Sequence, residues 1–184
     1  MKKNIYLISI ILFFTFSACN DLKVTRIIRL GHGLSTSHSV HKGMVHFGKK
    51  LEELSKGRFK VQIYPSQQLG TERQCVELLQ IGSLDMTKVS ASILENFAPN
   101  IKVFGIPYMF RDKTHCFNVL DGPIGKELLN GTEKYWLKGL GYYDSGSRSF
   151  YTIDKSLVGP DDLDGLKIRV MESQTAIDMV KSLG

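Results

Sequence analysis

Residues 26–65 read "RIIRLGHGLSTSHSVHKGMVHFGKKLEELSKGRFKVQIYP", and the order of periodicities along this stretch decides the fold. "RIIRLGH" is a strand that stops at Gly31-His32-Gly33. A helix then starts near Ser37 to Ser39, because Val40, Met44, Phe47, Leu51 and Leu54 recur at spacings of four and three, and Lys56-Gly57 ends it. "RFKVQIYP" returns to period 2, with Phe59, Val61 and Ile63 on one side. Strand, helix, strand is the βαβ unit of a parallel sheet.

The same grammar repeats downstream. In "LGTERQCVELLQIGSLDM", Thr71 and Gln74 form a capping box, Cys75, Leu78 and Leu79 make the apolar stripe, and Gly82 ends the helix before a strand "LDMTKVSA". A loop around "PYMFRD" leads to helical segments from Thr114 to Leu120 and from Pro123 to about Lys138. Strands "LGYYDSG" and "SRSFYTI" follow, then a turn "GPDDLDG" and a further strand, "GLKIRVMES". Ser173 caps a last helix carrying Ile177, Val180 and Leu183. The chain stops at Gly184, so this final strand and helix lack the third element of a βαβ unit.

At the other end, Lys2 and Lys3 precede an apolar run from Ile5 to Phe16, too short for a comfortable membrane span and built like an export signal. Its ending "FSAC" resembles the lipobox of bacterial lipoproteins. That resemblance implies a signal peptide over residues 1–18, lipidation of Cys19 and a short linker over 19–25; an ordinary secretory signal cut nearby is the alternative. Removing residues 1–18 takes away two lysines and no acid, so the formal charge falls from +6 to +4. That excess is spread out, with no basic run of the kind nucleic-acid binders carry, and it suits a small anionic ligand. Cys75 and Cys116 would remain as thiols. They could pair in an oxidising compartment, but two cysteines do not make a disulfide framework.

"GLKIRVMES" carries the residue that bears most on function. Leu166, Ile168 and Val170 fall on one face, and Lys167, Arg169 and Met171 on the other. An arginine at the end of a strand that leads into a helix is either a surface or salt-bridging residue, or a fork that faces a cleft and grips a carboxylate.

The segments "YPSQQLGTERQCVELLQIGSLDMTKVSA", "NFAPNIKVFGIPYMFRD", "GSRSFYT" and "DLDGLKIRVMES" together resemble the substrate-binding proteins of tripartite ATP-independent periplasmic (TRAP) transporters, the DctP family. The resemblance runs from about Arg26 onward. It implies an α/β, two-lobed periplasmic-binding-protein-like fold, with residues 26–145 as the first lobe and 146–184 as the start of a second, incomplete one. Other members continue well beyond this length. It also implies capture of an organic acid outside the cytoplasm without catalysis and without a cofactor, then delivery to the permease subunits of the transporter. Contact with the membrane would be through the lipid on Cys19. In this family the arginine of "GLKIRV" clamps the ligand carboxylate, which is Arg169 here, and the arginine of "GSRSF" assists it, which is Arg148.

Other candidates come from position. Ligands of open α/β sheets bind beyond the carboxyl ends of the strands. That selects His32, with packing or capping in the loop as the alternative, and also Glu72, Lys88 and Ser90. Glu72 resembles an acidic pocket position of sugar-acid-binding relatives, though a carboxylate in a helix first turn is favourable by itself. Lys88 either contacts ligand oxygens or pairs with Glu72. Where some sialic-acid-binding relatives carry Asn and Glu, this chain has Gly33 and Ser90, so a hexuronate or related sugar acid is expected rather than sialic acid. His32, His38, His41 and His46 crowd one region without the convergent spacing of a metal site. Tyr108, Phe110, Tyr142, Tyr143 and Phe150 could stack on a sugar or fill the core. No nucleophile elbow, P-loop or dinucleotide fingerprint is present. The alternatives to transport are a truncated ligand-sensing lipoprotein of the same fold and, more remotely, a sugar-acid enzyme.

Overall fold

The computed structural model describes residues 25–184. The expected signal peptide at 1–18, Cys19 and all of the linker but Thr25 lie outside the described residues. No described helix is long and apolar enough to cross a membrane.

The nucleus is a parallel sheet of three strands, β1 (Arg26–Gly31), β2 (Phe59–Tyr64) and β3 (Met86–Thr87), in the order β2-β1-β3. β1 and β2 pair in register from Arg26 opposite Phe59 to Gly31 opposite Tyr64. Helix α1 (Ser39–Leu54) crosses between them and buries Val40, Met44 and Gly48. Gly48 sits where the helix touches β2: a Cβ there would lie 3.1 Å from Cβ of Val61. Leu30, Val40 and Met44 form the core, covered by Leu34, Val61, Ile63 and Met86. The α1 stripe is thus realised, except that Leu54 in the last turn is exposed. His38 rather than a serine caps the helix, its Nδ1 accepting from the Val40 N–H at 3.1 Å. At the far end Lys56 and Gly57 both turn left-handed, with φ of 53° and 79°, and glycine takes that conformation without steric cost.

Helix α2 (Glu72–Gln80) carries the reciprocal Thr71–Gln74 capping box. It buries Cys75 and Val76, while the expected Leu78 and Leu79 are half-buried, so the packed face is rotated toward Val76. Both Cys75, buried, and Cys116, half-buried, are free thiols, and burial pushes each thiol pKa up. Helices α3 (Ala91–Leu94), α4 (Lys113–Leu120), α5 (Pro123–Asn130) and α6 (Gln174–Lys181) follow, with single 3-10 segments at Pro99–Gly105, Glu133–Tyr135 and Pro160–Leu163.

Three expectations are corrected. The strand expected over 84–91 shrinks to Met86–Thr87. Asp85 instead takes the Arg29 N–H and Nε at 2.9 and 3.2 Å, and β1 ends at Gly31, so no further ladder is available. The helix expected to reach Lys138 stops at Asn130, where Thr132 Oγ1 donates to the Leu129 and Leu137 carbonyls and closes a turn. The strands expected at 140–146, 147–153 and 165–173 form no ladder among the described residues. A strand exists through its neighbour's hydrogen bonds, and these segments have none. Alternation nevertheless survives in the last of them: Leu166, Ile168 and Val170 are half-buried between exposed Lys167 and Arg169.

Candidate ligand-binding site

The carboxyl ends of the three strands bring together most of the residues that position alone had selected. β1 delivers His32, which is 1% exposed. Its N–H donates to the Tyr64 carbonyl at 3.0 Å and its Nδ1 accepts from the Leu34 N–H at 3.1 Å. Since Nδ1 accepts, the ring proton of the neutral imidazole sits on Nε2, which donates to Nδ1 of His41 at 3.0 Å. Burial, reinforced by His41 and the Lys88 charge, lowers the His32 pKa below the ordinary histidine value. Both ring nitrogens are occupied, in an arrangement that holds the loop after β1 onto α1.

Next to it, Glu72 opens α2 and Lys88 follows β3. Lys88 Nζ donates to Glu72 Oε1 at 2.8 Å and to Ser90 Oγ at 3.2 Å, and the Ser90 N–H donates to Glu72 Oε2 at 2.9 Å. The Lys88 and Glu72 side chains are only 10% and 15% exposed. Burial pushes the Glu72 carboxyl up. The Lys88 hydrogen bond and charge and the Ser90 hydrogen bonds outweigh it, leaving the group below the ordinary carboxylate range and ionised. Each Glu72 oxygen keeps a further lone pair for a ligand hydroxyl.

A contributor missed by sequence reasoning is Gln67. Ser66 and Gln67 both hold left-handed conformations, with φ of 53° and 62°, fixed by Ser66 N–H to Leu34 carbonyl and Gln67 N–H to His32 carbonyl bonds of 3.0 and 3.1 Å. Such backbone strain in non-glycine residues concentrates at functional sites. A Cβ at Gly33 would lie 3.5 Å from Gln67 Cγ and 3.8 Å from Glu72 Cγ, so the three share one edge. Two consecutive residues at positive φ leave no signal in "YPSQQLG" beyond the turn residues themselves.

Neither Arg148 nor Arg169 is bonded to this cluster. Both are exposed, and neither makes an ion pair or side-chain hydrogen bond among the described residues. Of the aromatic candidates, Tyr142 and Phe110 pack on Phe104, Tyr142 OH donating to the Gly125 carbonyl at 2.8 Å, whereas Tyr108 is fully exposed. His38 is committed to its cap, and among the described residues no three His, Cys, Asp or Glu side chains converge as metal ligands.

Comparison with known proteins places this arrangement. Residues 30–184 match the family described as bacterial extracellular solute-binding protein, family 7 (DctP). A TRAP periplasmic solute-binding protein from Bradyrhizobium sp. BTAi1, solved in complex with D-galacturonate, is 40% identical and superposes with a TM-score of 0.82 over 86% of this chain and 53% of that one. One from Anaerococcus prevotii with bound D-glucuronate is 38% identical, with a TM-score of 0.83 over 87% and 52%. A third, from Sulfurospirillum deleyianum, holds succinate; it is 30% identical, with a TM-score of 0.80 over 86% and 51%. The chain spans about half the length of the curated relatives it matches. The fold is accordingly the α/β periplasmic solute-binding fold with its second lobe incomplete over these residues, and the chain belongs to the DctP family of bacterial extracellular solute-binding proteins.

Proposed function

We propose that the whole protein is the extracytoplasmic solute-binding component of a TRAP transporter, that it captures a hexuronate or related sugar acid, and that it hands the ligand to a membrane permease. Residues 26–145 are its first lobe and 146–184 the start of its second. Arg169 grips the ligand carboxylate with its planar fork, and Arg148 assists. Glu72, with Lys88 and Ser90, accepts and donates hydrogen bonds to ligand hydroxyls, while His32 holds the loop that shapes their edge. Cleavage before Cys19 and its lipidation tether the protein at the membrane.

The observation that carries the choice of ligand is the engagement of Lys88 with Glu72 and Ser90. A C4-dicarboxylate needs a cation at each end, and Lys88 at the sheet edge is already neutralised by a carboxylate that would repel a second ligand charge. A polyhydroxy monocarboxylate has no such conflict. Calorimetric titration with glucuronate, galacturonate and succinate tests the reading. Binding of either uronate supports it, and binding of succinate with both uronates silent overturns it.

A further inference from the structure

Among the described residues, 165–184, which carry Arg169, are tied to the part of the molecule before residue 100 by three hydrogen bonds, and Glu95 and Asn96 make all of them. Glu95 Oε1 accepts from Ser173 Oγ–H at 2.7 Å and from the Thr175 N–H at 3.2 Å. Asn96 Nδ2 donates to the Glu172 carbonyl at 2.8 Å. The Glu95–Ser173 half of the joint is buried, at 8% and 2% exposed, while Asn96 lies at the surface. Ser173 in turn caps α6, its Oγ accepting from the Ala176 N–H at 3.0 Å.

The other end of the same segment is the sheet-edge cluster. Ser90, bonded to Glu72 and Lys88, is the N-cap of α3, and Glu95 is its C-cap. The four residues of α3 advance about 6 Å. A short helix with one invariable length therefore separates the hydroxyl-facing cluster from the joint that holds the segment after Arg169. With no ladder to fix "GLKIRVMES" among the described residues, this joint and the packing of Thr175 against Gly105 hold the end of the segment.

We infer that Glu95 and Asn96 are positioning residues for Arg169, fixing the end of its segment relative to the Glu72–Lys88–Ser90 cluster; the inference rests on the reading of Arg169 as the carboxylate clamp. A binding fork has to be held to about 0.5 Å to be productive, and a tie lost four residues away releases it.

The test uses Glu95→Ala, Glu95→Gln, Asn96→Ala and Arg169→Lys. It reads amide hydrogen exchange at residues 173–177 and glucuronate affinity by calorimetry. Glu95→Ala should speed exchange at Thr175 and Ala176 and weaken glucuronate binding, each by about tenfold or more, the scale of losing a charge-assisted buried bond. Glu95→Gln keeps the accepting oxygen and should restore both readouts to within about threefold. Asn96→Ala removes one bond of the joint, together with a local bond to the Ile93 carbonyl, without touching the buried carboxylate, so it carries the test if Glu95→Ala does not fold. Unchanged exchange, faster exchange with unaltered affinity, or Glu95→Gln behaving as Glu95→Ala overturns the inference. Equal affinity of Arg169→Lys and the unsubstituted protein overturns the arginine reading instead, and the exchange data then judge the joint by itself.

Discussion

Lys88 Nζ lies 2.8 Å from Glu72 Oε1, joining the residue after the third strand to the first residue of a helix sixteen positions earlier, with both side chains largely withdrawn from water. Removing one member of such a pair leaves the other charge uncompensated. Lys88→Met should therefore cost about 3 kcal/mol of unfolding free energy at pH 7, and Lys88→Met with Glu72→Gln should recover most of it. Urea denaturation measures both. Because the folded-state pKa of Glu72 is depressed, its contribution is present above the ordinary glutamate value of about 4.3 and is lost as pH falls through the folded value. The gap between native and Lys88→Met protein should narrow over that acid range.

His32 is the second titrating element. Its pKa is lowered chiefly by burial, so the unfolded chain takes up a proton as pH drops below about 6.5 while the folded protein does not. Stability contributed by neutral His32 is full above that value and declines toward the folded pKa. Long-range nitrogen–proton NMR should find His32 titrating below the ordinary histidine value, with the proton of its neutral ring on Nε2. A His32 that titrates near 6.5 would contradict the geometry.

Arg169→Lys keeps the charge and loses the planar fork. Glucuronate affinity should fall by about ten- to a hundredfold, the value of one charge-assisted hydrogen bond, with the melting temperature of the ligand-free protein unchanged because the side chain makes no bond among the described residues. Arg148→Lys should fall less. Calorimetry beside thermal melts separates the two effects.

Gln67 offers a trade of stability against binding. Gln67→Gly relieves a left-handed backbone and should raise stability by up to about 1 kcal/mol, while removing a side chain from the edge shared by Gly33 and Glu72 should weaken sugar-acid binding. A variant that is both more stable and an unimpaired binder would remove Gln67 from the site.

The first βαβ unit, the stripe of Val40 and Met44, the Thr71–Gln74 capping box and the Ser173 cap were legible in the sequence because each is a local pattern, set by periodicity or by a side chain reaching three residues along its own chain. The family was legible for a related reason, since its segments keep their order and spacing. The segment expected as a strand at 165–173 had the right alternation, yet neither it nor 140–153 forms a ladder among the described residues, because a strand is completed by a partner that its own residues do not encode. His32 could be placed at a strand end, but whether it faced ligand or packed depended on His41, nine residues on and one helix away. The sequence by itself determined which residues were chemically able to bind an acid and which elements carried them. Tertiary structure decided the rest: the parallel register of three strands puts His32, Gly33, Gln67, Glu72, Lys88 and Ser90 on one edge, and Glu95 reaches Ser173 across 78 residues. Both depend on contacts between distant segments, whose geometry exists only once the chain has folded.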